Sequence, residues 1–100
     1  MSSDEEIPAT PGEAERVIQE MILFVVRSMV DHPDDAEVQF ISDEEGEVFQ
    51  VRAHQDDLGR LIGKNGQTAK ALQTIINANG RKNGRRYHLD IIGPEDDLDE

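Results

Sequence analysis

The fold is decided by residues 61–72, which read Leu-Ile-Gly-Lys-Asn-Gly-Gln-Thr-Ala-Lys-Ala-Leu. Gly63 and Gly66 bracket Lys64 and Asn65, and a helix-forming run follows them directly. Glycine has no Cβ and tolerates unusual backbone dihedrals, while the amides and dipole at a helix start favour an anion. We therefore predict that this loop lets a phosphate backbone approach closely, with Lys64 as an added cation.

The charge of the chain is distributed unevenly around this loop. The net charge is −12, made up of −12 in residues 1–51, +6 in residues 52–88 and −6 in residues 89–100. The positive segment is the one that contains the glycine loop. Such asymmetry indicates an anionic partner more reliably than the total charge does. A charged surface that is merely solvated is the alternative.

Composition excludes several classes of protein. The chain has no cysteine, so disulfides, thiolate metal sites and thiol nucleophiles are ruled out. Its acidic N-terminus has no basic-then-apolar leader, so we expect no signal peptide and a cytoplasmic location. The longest purely apolar run, residues 21–26, is far too short to cross a bilayer, and no membrane partner is expected.

An enzyme is also not expected. The histidines, His32, His54 and His88, show no metal-ligand spacing. A Walker loop needs a lysine after its last glycine, whereas Lys64 precedes Gly66. We therefore predict no catalytic residues, no metal and no cofactor.

The first predicted element is a helix from Thr10 to about Val30. Thr10 is the expected cap, Pro11 suits the first helical position, and Glu13 completes a capping box. Helical spacing predicts one stripe that packs on a sheet, formed by Ala14, Val17, Ile18, Met21, Ile22, Val25 and Met29. A second ridge, Leu23, Val26 and Val30, contacts either a partner subunit or the rest of the core.

Alternating residues at 36–42 and 47–54 predict an antiparallel hairpin with a turn between them. A short helix begins at residue 55 or 56 and stops at the glycine loop. A second helix spans about Gln67 to Asn79, and residues 81–86 form a basic loop. Tyr87, Leu89 and Ile91 alternate into a third strand. The core is expected to include Leu61, Ile62, Leu72, Ile75 and Ile76.

The predicted domain covers residues 10–93, between acidic segments at 1–9 and 94–100 that we expect to be disordered. Its order of elements, α-β-β-α-α-β, indicates the α+β class. We predict a three-stranded sheet covered on one face by three helices.

An Ile-Gly-x-x-Gly loop between two helices, after a hairpin and before a final strand, resembles the type II (prokaryotic) KH domain. Residues 30–35 read Val-Asp-His-Pro-Asp-Asp, and residues 59–72 begin Gly-Arg-Leu-Ile-Gly-Lys-Asn-Gly. These segments are similar to those of the KhpA family, small stand-alone bacterial KH-domain RNA-binding proteins. The resemblance covers about residues 14–92. The chain departs from it at His54-Gln55, where relatives often have a proline, and in its acidic ends.

The resemblance implies that the loop clamps about four nucleotides of single-stranded RNA. It implies an RNA chaperone or post-transcriptional regulator, with the strand of residues 47–54 as the other wall of the groove. It also implies self-association as a homodimer and pairing with a larger Jag-type KH protein, KhpB. The alternative is a protein-interaction or dimerisation module with weak or no RNA binding. The RNA-binding residues expected on this basis are Ile62, Gly63, Lys64, Asn65, Gly66, Gln67, Thr68, Lys70 and Arg52.

Overall fold

The alternating apolar residues of the hairpin form two strands of a three-stranded sheet in the computed structural model, which describes residues 12–94. The predicted disordered segments, 1–9 and all of 94–100 except Pro94, lie outside the described residues. Short 3-10 turns occupy residues 33–35, 55–57 and 64–66. The helices and strands are α1 (Glu13–Met29), β1 (Glu37–Asp43), β2 (Gly46–Arg52), α2 (Leu58–Ile62), α3 (Gln67–Asn83) and β3 (Tyr87–Ile92).

The sheet has the strand order β1-β2-β3 and mixed directions. β1 and β2 are antiparallel, with Phe40 opposite Phe49. β3 runs parallel to β2, with Leu89 opposite Phe49. A parallel neighbour requires a crossover connection, which α2 and α3 provide. The α+β class with three helices on one face of a three-stranded sheet is confirmed.

The helices bury one apolar face of the sheet. Ile18, Ile22 and Val26 follow one another at intervals of four on α1 and are buried. Val26, predicted in the second ridge, lies in the core, and Leu23 and Val30 are partly buried against it, which favours the core as the cover of that ridge. Val17, predicted in the buried stripe, is instead 62% exposed, and Phe24 is 76% exposed. The remaining buried apolar residues include Val38, Phe40, Phe49, Val51, Leu61, Leu72, Ile76 and Tyr87.

The predicted cap of α1, Thr10 and Pro11, lies outside the described residues. Within the described residues the helix begins at Glu13, with Gly12 as its N-cap. The Gly12 N–H donates to the carboxylate of Glu15 over 3.0 Å, so Glu15 and not Glu13 satisfies the cap. Glu15 is held there because it also accepts the hydroxyl of Tyr87. This hydrogen bond joins the start of α1 to β3.

The end of α3 lies beyond the predicted position. Asn79-Gly80 reads as a helix end, but α3 continues to Asn83, and Gly84 adopts the left-handed conformation at its C-cap. Gly80 is a packing residue, since a Cβ there would lie 2.5 Å from the carbonyl oxygen of Arg85. The basic segment 81–86 is therefore a final helical turn followed by a short loop. No helix within residues 12–94 is both long and apolar enough to cross a membrane.

Two glutamines bind the outer strands of the sheet. The amide of Gln19 on α1 donates to the carbonyl of Val38 on β1 over 2.7 Å. The amide of Gln73 on α3 donates to the carbonyl of Tyr87 over 3.0 Å and accepts the N–H of Leu89 over 2.9 Å. Each glutamine thus fixes a helix to a strand through hydrogen bonds between its side chain and the strand backbone.

Asp57 joins the end of α1 to the start of α2. Its buried carboxylate accepts the backbone N–H groups of Asp31 and His32, both over 3.1 Å, and the Nδ1 of His32 lies 3.0 Å away. Arg60 adds a bond from α2 to the carbonyl of Met29 over 3.0 Å. These bonds fix the short helix that leads into the glycine loop.

Candidate nucleic-acid interface

The glycine loop is an exposed bend held by its own backbone. Gly63 has φ 82° and ψ 169°, and Asn65 and Gly66 follow in the left-handed region. The N–H of Gly63 donates to the carbonyl of Gly59 over 2.8 Å, and that of Gly66 donates to the carbonyl of Gly63 over 3.0 Å. Lys64 and Asn65 are exposed at its tip. The predicted bend between two helices is confirmed.

The two glycines are required for different reasons. A Cβ on Gly63 would lie 2.8 Å from the backbone nitrogen of Thr68, so this glycine permits close packing of the loop on α3. A Cβ on Gly66 would meet only Lys70 Cε, at 3.9 Å. Gly66 therefore supplies the left-handed conformation and an unobstructed surface.

The loop carries hydrogen-bond donors and positive charge close together. Among the described residues, the backbone N–H groups of Lys64 and Asn65 have no hydrogen-bond partner. The side chains of Lys64 and Lys70 are exposed and form no ion pair with a described carboxylate. A Cβ on Gly66 would lie 3.9 Å from Lys70 Cε, so Lys70 lies beside the loop. Unpaired amides and cations in this arrangement suit a phosphate.

An apolar groove lies next to the loop. Its volume is about 290 Å³. Ile62, predicted in the core, is 42% exposed and forms part of the wall. Ile75, also predicted in the core, is 45% exposed, because the buried stripe of α3 passes through Leu72 and Ile76. The groove is lined by Ile62, Ala69, Lys70, Gln73, Leu89 and Ile91.

The second wall of this groove is β3, whereas the resemblance implied the strand of residues 47–54. β2 is the central strand of the sheet, and β3 lies between it and α3. Gln73, Leu89 and Ile91 were therefore missed as site residues. Alternation along the third strand predicted which of its residues share a face, but it did not indicate which strand lies beside the glycine loop.

Arg52 is not brought together with the loop. Phe49 and Val51 of β2 are buried beneath the helices, so Arg52, between Val51 and Ala53, points to the opposite face of the sheet. It lines a separate cavity of about 510 Å³, together with Glu37 and His54. The structure brings together the other predicted residues: Ile62, Gly63, Lys64, Asn65, Gly66, Gln67, Thr68 and Lys70 lie on the loop or the helices beside it.

Two histidines that are distant in sequence stack on each other. The rings of His32 and His54 are 3.9 Å apart and nearly parallel. With Asp56 they offer three possible metal-ligand atoms within 4.8 Å. However, Nδ1 of His32 bonds to Asp57, and Nδ1 of His54 accepts the N–H of Asp56. Because the two rings are stacked, their in-plane lone pairs lie in two parallel planes and do not converge on one ion. We therefore assign no metal site.

The pKa values of His32 and Asp57 reflect their pairing. The hydrogen bond to Asp57 raises the pKa of the His32 imidazole. Burial alone would raise the pKa of Asp57, but the hydrogen bonds from Asp31 and His32 outweigh it and hold that pKa below its usual value. Each group thus favours the charged form of the other, and their hydrogen bond secures α2.

The chain is similar to one protein family and to several of its named members. The family model described as KhpA/KhpB, KH domain, matches residues 19–91. An RNA-binding protein KhpA of Leifsonia xyli is 48% identical over 68 residues, which cover 68% of this chain and 87% of the relative. The KhpA of Streptomyces coelicolor is 41% identical, with coverage of 76% and 92%. That of Listeria monocytogenes is 36% identical, with coverage of 75% and 99%. The names of these relatives agree with the expectation that the chain is not an enzyme.

Proposed function

Because the chain belongs to the family of KhpA/KhpB KH domains, we propose that it binds single-stranded RNA by clamping the RNA backbone at residues 63–66. The observation that carries this proposal is the exposed bend, in which the amides of Lys64 and Asn65 have no partner among the described residues. Lys64 and Lys70, which form no ion pair with a carboxylate of residues 12–94, stand beside them. Phosphate oxygens accept hydrogen bonds from such amides and are attracted by both charges.

The groove explains how bases are held. Once a phosphate lies at the loop, the attached bases rest on the apolar atoms of Ile62, Leu89 and Ile91. In a strand, the peptide groups of alternate residues point to the same edge. Gln73 binds the N–H of Leu89, so the carbonyl of Leu89 and the N–H of Ile91 point to the same side and meet base edges.

Affinity at this site is modest. The lining of the groove contains no aromatic side chain, so the strong base stacking of open single-strand binders is missing. Each phosphate contact contributes about 0.7 to the salt slope on a single strand. Weak and sequence-tolerant binding suits an RNA chaperone or post-transcriptional regulator in the cytoplasm, and we propose that function. Arg52, on the other face of the sheet, is proposed only as an outlying contact.

The experiment changes Lys64 and Asn65 together to aspartate. This variant removes one positive charge and adds two negative charges in the path of the phosphate, so RNA binding is expected to be lost while the circular dichroism spectrum and melting temperature are retained. The matched control is Arg27→Asp with Ser28→Asp, which changes the charge equally on the exposed face of α1. Binding that survives the loop change, or that falls equally in the control, contradicts the proposal.

The alternative of a protein-interaction module is favoured by one observation. Phe24, the most exposed large apolar residue of those described, stands with Val17 on the face of α1 away from the sheet. We also propose that this face supports a homodimer and pairing with a KhpB-type protein. Phe24→Ser is expected to reduce the mass measured by light scattering without lowering stability. A dimer of unchanged mass would place the interface elsewhere, and a wild-type monomer would exclude self-association.

A further inference from the structure

The geometry points to a second phosphate subsite at the far end of α3, formed by Arg81 and Arg86, which lengthens the single-stranded RNA footprint beyond the nucleotides at the glycine loop. This inference rests on the proposed function and specifies how long an RNA segment the surface accepts. It concerns a part of the molecule that the loop and its groove do not use.

The subsite is a large cavity that adjoins the groove. Its volume is about 850 Å³. Gln73 lines both this cavity and the apolar groove, so the two are neighbours along α3 and β3, with the bridge from Gln73 to the β3 backbone between them. Asn77 and Arg81 follow Gln73 at intervals of four and form one stripe on α3. The cavity is lined by Gln73, Asn77, Arg81, Gly84, Arg85, Arg86, Tyr87 and His88.

The three arginines of the cavity differ in their partners. Arg85 donates to the carboxylate of Glu47, with Nε at 3.2 Å, and lies 3.7 Å from Glu15. Arg85 is therefore committed to the protein itself. Arg81 and Arg86 are exposed and form no ion pair with a carboxylate in the part of the chain that the structure describes. These two guanidinium groups are available to an anionic ligand and suit phosphate in particular.

A hydrogen-bond donor lies between the groove and these arginines. The Nε2 of Gln73 donates to the Oδ1 of Asn77 over 2.9 Å. Because Oδ1 is the acceptor of that amide, the Nδ2 group of Asn77 is the atom left to donate to a ligand. Phosphate oxygens and base carbonyls both accept such a bond. The path from Lys70 to Arg81 is thus lined by donors and cations.

The length of this path sets the size of the footprint. Lys70 and Arg81 are eleven positions apart on one helix, or about 16 Å at 1.5 Å per residue. At a rise of roughly 3.4 Å per stacked nucleotide that distance spans about five nucleotides, and fewer if the strand is extended. Added to about four nucleotides at the loop, it gives a footprint of roughly nine at most.

The test compares oligouridylates of four and ten nucleotides, since a uniform sequence leaves length as the only variable. The variant is Arg81→Gln with Arg86→Gln, and the matched control is Arg16→Gln with Arg27→Gln, two exposed arginines on α1. Affinity is measured by fluorescence anisotropy for the ten-mer and by chemical-shift titration for the four-mer, each at several salt concentrations.

The wild type is expected to bind the ten-mer more tightly than the four-mer. Loss of two phosphate contacts lowers the salt slope for the ten-mer by about 1.4 and its affinity roughly tenfold at physiological salt. The four-mer is unaffected, and so is the control pair with either RNA. Equal loss for both lengths, an equal loss in the control, or no gain with length in the wild type overturns the subsite.

The two levels of the proposal fail in different ways. If the four-mer binds and depends on Lys64 and Asn65, but the ten-mer ignores Arg81 and Arg86, the clamp stands and the extension is wrong. If an oligoglutamate peptide binds through Arg81 and Arg86 while the ten-mer does not, the cavity serves an acidic protein segment and the extension is again wrong. If neither RNA binds, the clamp itself is refuted.

Discussion

Replacing Gly63 with alanine is expected to destabilise the domain much more than the same change at Gly66. The backbone at Gly63, with φ 82° and ψ 169°, lies in a region that is essentially restricted to glycine and costs another residue about 1–3 kcal/mol. The new Cβ would also lie 2.5 Å from the Thr68 hydroxyl oxygen and 2.8 Å from its backbone nitrogen. Overpacking of that kind adds about 1–3 kcal/mol, so we expect a total near 3 kcal/mol.

At Gly66 only the left-handed conformation opposes alanine. The nearest atom to the new Cβ is Lys70 Cε at 3.9 Å, and left-handed backbone costs an L-residue about 1–2 kcal/mol. Urea unfolding followed by circular dichroism measures both variants. Each kcal/mol lowers the melting temperature of a domain of this size by about 4–8 °C. Equal losses for the two variants, or a greater loss for Gly66→Ala, would refute our assignment of close packing to Gly63.

Three further perturbations test other parts of the structure. Gly80→Ala should lower the free energy of unfolding by about 1–3 kcal/mol, because the new Cβ meets the Arg85 carbonyl. Gly59→Ala has open space around it and should be neutral or stabilising. Urea midpoints that rank the two variants the other way would contradict the packing described for α3. Burial, together with the hydrogen bond to Glu15, raises the pKa of Tyr87 to about 12. The absorbance of this single tyrosine should therefore titrate near that pH, and the free energy of unfolding should fall as the pH rises above the pKa of about 10 that tyrosine has in the unfolded chain. A titration midpoint near 10 in the folded protein would show that the ring is not held as described. The lowered pKa of Asp57 stabilises the fold above about pH 4, and the raised pKa of His32 does so below about pH 6.5. The difference in free energy of unfolding between the wild type and Asp57→Asn should therefore be largest between those two pH values. A difference that does not vary with pH would exclude the charged pair.

Local patterns predicted the elements of this fold well. Each strand of the hairpin buries one face, so a period of two was sufficient to place Val38, Phe40, Phe49 and Val51 in the core. The glycine loop was placed correctly because its dihedrals depend on residues within the loop itself. Order of elements then gave the α+β class.

Features that depend on contacts distant in sequence could not be predicted. In the sequence, Asn79-Gly80 is typical of a helix end. Only the approach of the Arg85 carbonyl explains why a glycine stands inside α3 at this position. Helical periodicity alone did not fix the rotation of α1, so Val17 was assigned to the buried stripe and the cover of Val26 was left open between a partner and the core. The stacking of His32 and His54 joins positions 22 residues apart. The wall that β3 contributes to the groove depends on its parallel pairing with β2, which no local pattern encodes.

The glutamines on the two outer strands have a consequence for how molecules of this protein meet. A bare strand edge is a template on which a strand from another chain can add, and aggregation often begins there. Here Gln19 occupies a carbonyl on β1, and Gln73 occupies two peptide groups on β3. A foreign strand would have to break these bonds before pairing, so sheet growth from molecule to molecule is opposed at both ends. Fibril formation by the addition of strands at these positions should therefore be slow, even in concentrated solutions.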